Sequence, residues 1–258
     1  MDDRASQPEK LTEIYDTTVH YTGGETADKE CALIKEHELT VIVNEQPVLK
    51  IICTGDDLKE LVVGRLCTEG LIERAGDIER LYFCRYGREA SVFLNKELVL
   101  KDALRTDKSC CTGNRSYKSA DADRPLKKLP EAHPDPDMIF RLASRFREDS
   151  RLHRTTQGTH SCILASNEGI QFECEDIGRH NALDKAVGYA LMNDIPLHEC
   201  ILFTSGRVPV DMAEKVITAG IPVLVSKSVP TAEAVAFAKE YGLQLIFRAY
   251  PDSYETLS

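Results

Sequence analysis

Glu173-Cys174-Glu175-Asp176-Ile177-Gly178-Arg179-His180-Asn181-Ala182-Leu183-Asp184-Lys185-Ala186 is the stretch from which the fold can be read. Before it, Ile170 to Cys174 alternates in the manner of a strand. After it, Ala182, Ala186, Val187 and Ala190 recur at helical spacing. Asn181 is expected to cap that helix, with Asp184 in the acceptor position of a capping box. The acids, the glycine, the arginine and the histidine therefore sit at a strand-to-helix turn. Free backbone N–H groups at such a turn favour anions.

Downstream the pattern repeats. Ile201 to Thr204 reads as a buried strand that runs into Ser205-Gly206-Arg207 and a helix from about Asp211 to Thr218. Pro222 to Val225 is a second strand, followed by Ser228-Val229-Pro230-Thr231 and a helix that Thr231 can cap. Gln244 to Phe247 is a last strand. Alternating strands and helices imply crossovers and a mainly parallel sheet in this portion. Loops at the carboxyl ends of parallel strands share one edge, where ligands bind. One such turn alone would read as an ordinary cap. Three in succession, two with Gly-Arg, point to a site for a phosphate-bearing ligand.

Upstream, residues 1–28 form a polar tail that includes a short strand from Thr18 to Tyr21. Residues 29–104 read as a small α+β unit. Its strands are Ala32 to Lys35, Leu39 to Val43 and Val48 to Cys53, with Asn44-Glu45-Gln46-Pro47 as a turn. A helix starts near Asp57 and ends at Gly70, and Cys67 on it reads as core. A hairpin crosses Tyr86-Gly87-Arg88. Residues 105–136 hold Cys110-Cys111 and then a polar run with Pro125, Pro130, Pro134 and Pro136, the marks of a long, mobile loop. Residues 137–258 form the α/β domain, opened by an amphipathic helix from about Pro136 to Ser150. The strand Ser161 to Ala165 follows.

The bulk composition sets limits. The chain has 258 residues, 42% of them hydrophobic, which is enough for a real core. The net charge of −10 argues against a general nucleic-acid surface, so any anion site is a local exception. No apolar run approaches the ~20 residues of a membrane span. Met1-Asp2-Asp3-Arg4 is unlike an export signal, so the nine cysteines are expected to be reduced thiols in a cytoplasm.

Chemistry is expected in two places. Cys110-Cys111 lies among Arg105, Lys108, Arg115 and Lys118, and cations stabilise the nucleophilic thiolate. Adjacent Cα atoms, ~3.8 Å apart, do not suit a disulfide between the two. Near the crevice, His160 and His180 each follow a glycine-containing turn. With Arg179 and Arg207 they would form a positive pocket, and either histidine alone reads as structural. Asp176 and Asp184 read as orienting an arginine or capping the helix. Zinc is not expected, since neither Cys-x-x-Cys nor His-x-Glu occurs.

The chain resembles the formate dehydrogenase accessory sulfurtransferases, the FdhD/NarQ family, over about residues 30 to 250. Gly158-Thr159-His160, Glu175 through Lys185, Ser205-Gly206-Arg207, Ala219 through Val225 and Gly64 through Ile72 carry the resemblance. It implies a cytidine-deaminase-like three-layer main domain without the deaminase zinc ligands, and a homodimer. It implies a sulfur carrier that takes persulfide sulfur from a cysteine desulfurase. The recipient would be the molybdenum bis(molybdopterin guanine dinucleotide) cofactor destined for formate dehydrogenase. The family loop carries Cys-Gly-x-Cys. Here Cys110 matches the first cysteine, Cys111 replaces the glycine, and Gly113 stands where the second cysteine should be. Cys110 is then the persulfide carrier and Cys111 a second thiol or a spare. The implied cofactor contacts are His160, Arg179, His180, Asn181, Ser205, Gly206 and Arg207. Near the carboxyl end the family's cofactor segment falls on Phe247, Arg248, Ala249, Tyr250, Pro251 and Asp252. Two rivals remain on sequence grounds: a zinc hydrolase of the deaminase type, and a chaperone that holds the cofactor without moving sulfur.

Overall fold

The computed structural model describes residues 11–97, 100–106, 115–119, 125–148 and 150–257. Strands β1 (Thr12–His20) and β2 (Thr26–Ile34) form an antiparallel ribbon of their own. The next elements are β3 (His37–Val43), β4 (Gln46–Cys53), α1 (Leu58–Thr68), β5 (Ile78–Phe83), β6 (Glu89–Leu94), β7 (Leu100–Thr106) and β8 (Arg115–Ser119). These strands make a sheet in the order β5-β6-β3-β4-β8-β7. Asn44 and Glu45, at φ 46° and 67°, turn β3 into β4. The Asn44 side chain accepts from Leu94 N and donates to Lys96 O, which ties that turn to the neighbouring strand.

The chain continues through α2 (Pro136–Arg147), α3 (Arg151–Thr156), β9 (His160–Ser166), β10 (Gly169–Asp176), α4 (Arg179–Met192), β11 (Ile201–Thr204), α5 (Val210–Ala219), β12 (Val223–Ser226), α6 (Ala232–Tyr241), β13 (Gln244–Tyr250) and β14 (Ser253–Thr256). The second sheet has the order β10-β9-β11-β12-β13-β14. Its parallel character is narrower than the strand–helix alternation suggests. β11, β12 and β13 pair in parallel, whereas β9 pairs antiparallel with both β10 and β11, and β14 antiparallel with β13. The reason is that two hairpins flank the crossovers. β10 still points the same way as β11, β12 and β13, so their carboxyl ends share one edge.

The alternating side chains of the second sheet fill two apolar layers. Ile163, Phe203, Val225 and Ile246 meet Ile139, Leu142 and Phe146 of α2. Cys162, Leu164, Leu202 and Leu224 face the other way, into a core continuous with Ala182 and Val187 of α4, Leu61 and Leu66 of α1, and Leu39, Val41 and Ile51 of the first sheet. Helices α1 and α4 thus lie between the two sheets. Leu61 through Thr68 are all buried, and so are His180 through Gly188. Cys67, read as core, is buried.

Two helices buried on every side can approach closely only where side chains are absent. A Cβ on Gly64 would overlap the carbonyl of Asp184, and a Cβ on Gly188 would overlap that of Glu60. The helix backbones therefore touch at a glycine-on-glycine crossing.

Several elements differ from the sequence expectation. The end of β7 and all of β8 extend the first sheet where a loop was expected from residue 105 onward. Pairing with β4 overrides the polar composition of Arg115–Ser119. The short helix α3 and the terminal strand β14 carry too few residues to show a period in sequence.

Candidate functional site

The polar stretch 175–185 is resolved into its parts by the contacts each residue makes. The Asp176 carboxylate accepts from Gly178 N (2.9 Å) and Asn181 Nδ2 (2.7 Å) through Oδ1. Its Oδ2 accepts from Thr54 N (3.0 Å) and Thr54 Oγ1 (2.9 Å). Lys185, fully buried, donates to Thr54 Oγ1, Asp56 Oδ1 and Glu175 O, and pairs with Asp176 at 3.0 Å. Burial pushes its ammonium towards neutrality, but Asp176, Asp56 and Asp57 outweigh this and raise its pKa. The helix consequently begins before Asn181. Gly178 is the N-cap, and Asp176 has already satisfied its N–H. The Asn181 side chain instead donates to Ile52 O (2.8 Å), pinning α4 to β4.

Asp184 is likewise not a capping residue. It lies one turn further along α4, fully buried, 3.2 Å from Arg65 Nη1 and 3.0 Å from Lys215 Nζ. Thr68 Oγ1 donates to it as well. It does orient an arginine, but that arginine is Arg65 of α1. Glu175 accepts from Leu152 N and His153 N at the start of α3 and from Thr159 Oγ1. Most of the stretch therefore joins elements that are far apart in sequence.

Four expected residues do come together at the shared edge. His160 begins β9 and lies directly across from Asp176. Its Nδ1 is 3.4 Å from Ser205 Oγ, which also accepts from Ser161 N. Gly206 follows with its N–H on Thr204 Oγ1 and its carbonyl accepting from Ser226 Oγ. A Cβ on Gly206 would come to 3.0 Å from both Cβ and Cδ of Arg179, so the glycine leaves room for the arginine stem. Arg207 is exposed beside them. His180, next to Arg179 in the first turn of α4, makes a different contact. It is buried, with Nε2 3.1 Å from Asp211 Oδ2 at the start of α5. Burial raises the Asp211 carboxyl, and the His180 contact, the Met212 N–H and Arg179 more than reverse this, so its pKa is lowered. His180 and Asn181 are both buried, held by Asp211 and by Ile52 and Asp176.

The carboxyl-end segment forms a separate part of the edge. Arg248, at φ 45°, breaks the β13–β14 register, donates its N–H to Ser228 O and pairs with Glu255 at 2.9 Å. Phe247 is half-buried and Ala249 is buried. Ala249, Tyr250, Pro251 and Asp252 line a cavity of about 290 Å³ with Ala143 and Phe146 of α2 and with Lys227. Sequence reasoning missed Lys227. Its position directly after a buried strand was the available signal, and its N–H bonds Thr204 O at the neighbouring strand end.

The thiols divide by burial. Burial pushes Cys67 and Cys162 up to about 12 and Cys200 up to about 11. Cys53 and Cys174 are raised further by the same cause. These are not nucleophiles near neutral pH. Cys110 and Cys111 lie outside the described residues. Among the described residues no group of three or more His, Cys, Asp or Glu could hold a metal ion. No helix among them is long and apolar enough to cross a membrane.

The His160 imidazole has a lowered pKa, chiefly through burial and then through the charges of Arg179 and His153. Its sign gives a prediction. The unfolded state takes up a proton near the ordinary histidine value of ~6.5, while the folded state resists it, so stability falls as pH drops through that value. Urea melts at a series of pH values should show a shallower fall for His160→Gln than for wild type. Equal slopes would remove His160 from the linkage.

A mixed α/β protein with two six-stranded sheets clasping a helix pair, and an arginine- and histidine-bearing edge, defines the class structurally. Residues 34–258 match the FdhD/NarQ family, and the chain belongs to that family. It is 33% identical over 231 residues to the sulfur carrier protein FdhD of Halalkalibacterium halodurans, covering 87% of this chain and 86% of the relative. It is 29% identical over 246 residues to the protein of the same name from Bacillus subtilis, covering 92% of each. A crystal structure from Desulfotalea psychrophila, described as a formate dehydrogenase accessory protein, superposes with a TM-score of 0.75. The alignment covers 96% of this chain and 97% of that one at 23% identity, and shows the shared fold.

Proposed function

We propose that this chain is a sulfur carrier serving formate dehydrogenase, with Cys110 as the carrying thiol. The relatives named above as sulfur carriers support this reading. The observation that carries it is a strand register. β8 pairs with β4 through Leu49↔Ser116 and Lys50↔Arg115, and β7 pairs with β8 through Thr106↔Arg115. The shared Thr106–Arg115 end therefore points along β4 towards Cys53 and Thr54, and Thr54 bonds Asp176 at the crevice. Three strand residues from Lys50 to Cys53 span ~10 Å. Four residues from Thr106 to Cys110 permit a reach of ~13 Å. Chain length and direction thus allow the thiol to serve that edge.

In this reading the Cys110 thiolate attacks the terminal sulfur of a persulfide on a cysteine desulfurase. A new S–S bond forms, the desulfurase thiolate leaves, and Cys110 holds Cys-S-SH. The terminal sulfur then passes to the molybdenum of the bis(molybdopterin guanine dinucleotide) cofactor, which is the substrate here. The metal supplies the two electrons that make a sulfido ligand, and Cys110 regains its thiol with the proton. Arg179, Arg207 and Lys227 give the edge positive charge for the pyrophosphates in an otherwise acidic protein. Ser205 offers a hydroxyl, and His160, with its lowered pKa, offers an uncharged ring near neutral pH. The Phe247–Asp252 segment supplies the further wall. The cytosol as the place of action, the homodimer and a cytidine-deaminase-like kinship of the second sheet belong to the same reading.

Intact mass after incubation with a cysteine desulfurase and cysteine tests it. Wild type and Cys111→Ala should gain a reductant-labile sulfur of ~32 Da, and Cys110→Ala should not. Loss only in Cys111→Ala would move the role by one residue. No gain in any form, beside a working desulfurase, would leave the cofactor-binding chaperone as the better reading.

A further inference from the structure

The short helix α3 has a part in the edge that the residues named so far do not account for. It ends at Gln157, which turns through the left-handed region at φ 52° and donates its N–H to His153 O at 2.7 Å. The chain thereby comes back beside the helix by Thr159. There His153 Nδ1 lies 2.8 Å from Thr159 O. A carbonyl only accepts, so Nδ1 carries the proton and donates. Glu175 closes the arrangement from β10. Its Oε1 accepts both from His153 N and from Thr159 Oγ1, each at 2.8 Å. Thr159 is thus fixed at its hydroxyl by Glu175 and at its carbonyl by His153. That carbonyl belongs to the peptide bond whose nitrogen is that of His160. On the other side of His160, Ser161 N donates to Ser205 Oγ at 3.1 Å, and Ser205 N donates to Ser161 O at 3.0 Å. The His160 backbone is therefore tied on both flanks, and its ring Nδ1 stands 3.4 Å from Ser205 Oγ. After burial and Arg179, the charge of His153 is the third cause that lowers the His160 pKa, which sets the two rings near each other.

We propose that His153 is a positioning residue for His160, acting through the Thr159 carbonyl to hold the His160 ring beside Ser205. The inference rests on the reading of this edge as the cofactor site, and adds to it a residue that acts on the ligand only through another. A contact of 3.4 Å is at the long end for a hydrogen bond, so a small rotation of the His160 peptide is enough to lose it. The residue type at 153 matters for the same reason. The nearer ring nitrogen of histidine is two bonds from Cβ. Asparagine places its amide nitrogen at the same distance, where its N–H can meet the same carbonyl. Glutamine carries its amide one bond further out, and leucine has no donor.

The magnetic resonance signals of the His160 ring, assigned with His160→Gln, test the proposal together with GDP binding. They are read at about pH 8.5, well above the ordinary histidine value of ~6.5, so that ring position and not ring charge is compared. His153→Leu should shift the His160 signals. It should also weaken binding of GDP, the soluble guanine half of the proposed substrate, about fivefold, as loss of one net hydrogen bond would. His153→Asn should return both readouts to within about twofold of wild type. Rescue by asparagine separates this role from ring packing, which asparagine cannot restore. Unmoved His160 signals or unweakened GDP binding in a folded His153→Leu protein would overturn the proposal. So would a folded His153→Asn protein that behaves as His153→Leu does. Should His153→Leu fail to fold, His153→Gln takes its place with the same expectation. A wild type that binds no GDP would count against the cofactor reading of the edge, and the His160 signals alone would then decide the role of His153.

Discussion

Gly188→Ala is expected to leave little folded protein, although alanine is the better helix former. In an exposed helix interior that exchange would add about 0.5–1 kcal/mol of stability. Here the new Cβ would overlap the Glu60 carbonyl oxygen and come to 2.7 Å from the Gly64 nitrogen. Both are backbone atoms, so no rotamer change relieves the contact. Helices α1 and α4 must separate, and both carry core on every side between the two sheets. Overpacking of a close-packed core costs ~1–3 kcal/mol and occasionally more. With backbone on both sides the loss should lie at or above about 3 kcal/mol. Gly64→Ala should behave alike, because its Cβ would overlap the Asp184 carbonyl. Gly76→Ala is the control, since nothing lies within 4 Å of a Cβ there. Thermal and urea melts of the three variants make the comparison. A Gly188→Ala protein as stable as wild type would mean that the helices do not cross at these glycines.

Asp184→Ala should produce the second large loss, of about 3–5 kcal/mol, the usual cost of breaking a buried ion pair from one side. Arg65 is fully buried and the Lys215 side chain is 9% exposed, so neither cation can turn to water. Asp184 meets both, and Glu69, at 3.1 Å from Arg65 and 3.4 Å from Lys215, would remain beside them. The loss would come mainly from two buried cations left short of negative charge and only secondarily from the lost contacts. Replacing the three most buried charges with apolar residues of similar volume, Arg65→Met with Asp184→Leu and Lys215→Met, should recover most of the stability. A urea series on the single and triple variants separates the two contributions. If the triple variant were no better than Asp184→Ala, geometry and not charge would dominate the site.

These two results bear on how the polar stretch should be understood. Of Glu175 through Lys185, Glu175, Asp176, Asn181, Asp184 and Lys185 hold elements together, and His180 joins α4 to α5. Arg179, with its stem against Gly206, is the member placed beside His160 and Ser205 at the edge. A substitution in the stretch can therefore abolish activity by loosening the frame. Melting temperature must accompany any activity measurement there.

Much of the architecture was legible in local patterns. The strands Leu39 to Val43, Ile170 to Cys174, Ile201 to Thr204 and Val223 to Val225 are short apolar or alternating runs. A strand's period of two residues is visible without knowledge of its neighbours. The common direction of β10, β11, β12 and β13 follows from the intervening helices, and so does the edge that gathers Ser205, Gly206 and Arg179. His160 reached that edge by its glycine-containing turn. Tertiary structure alone decided what pairing and burial decide. β8 exists because β4 offers it an edge, and its polar sequence gives no sign of this. Asn181 and Asp184 have the spacing of a capping box, but Asp176 satisfied the first N–H and left both side chains to reach Ile52, Arg65 and Lys215. Those partners lie over a hundred residues away for Ile52 and Arg65. Local sequence determines which atoms need partners. Only the packed chain determines which partners are within reach.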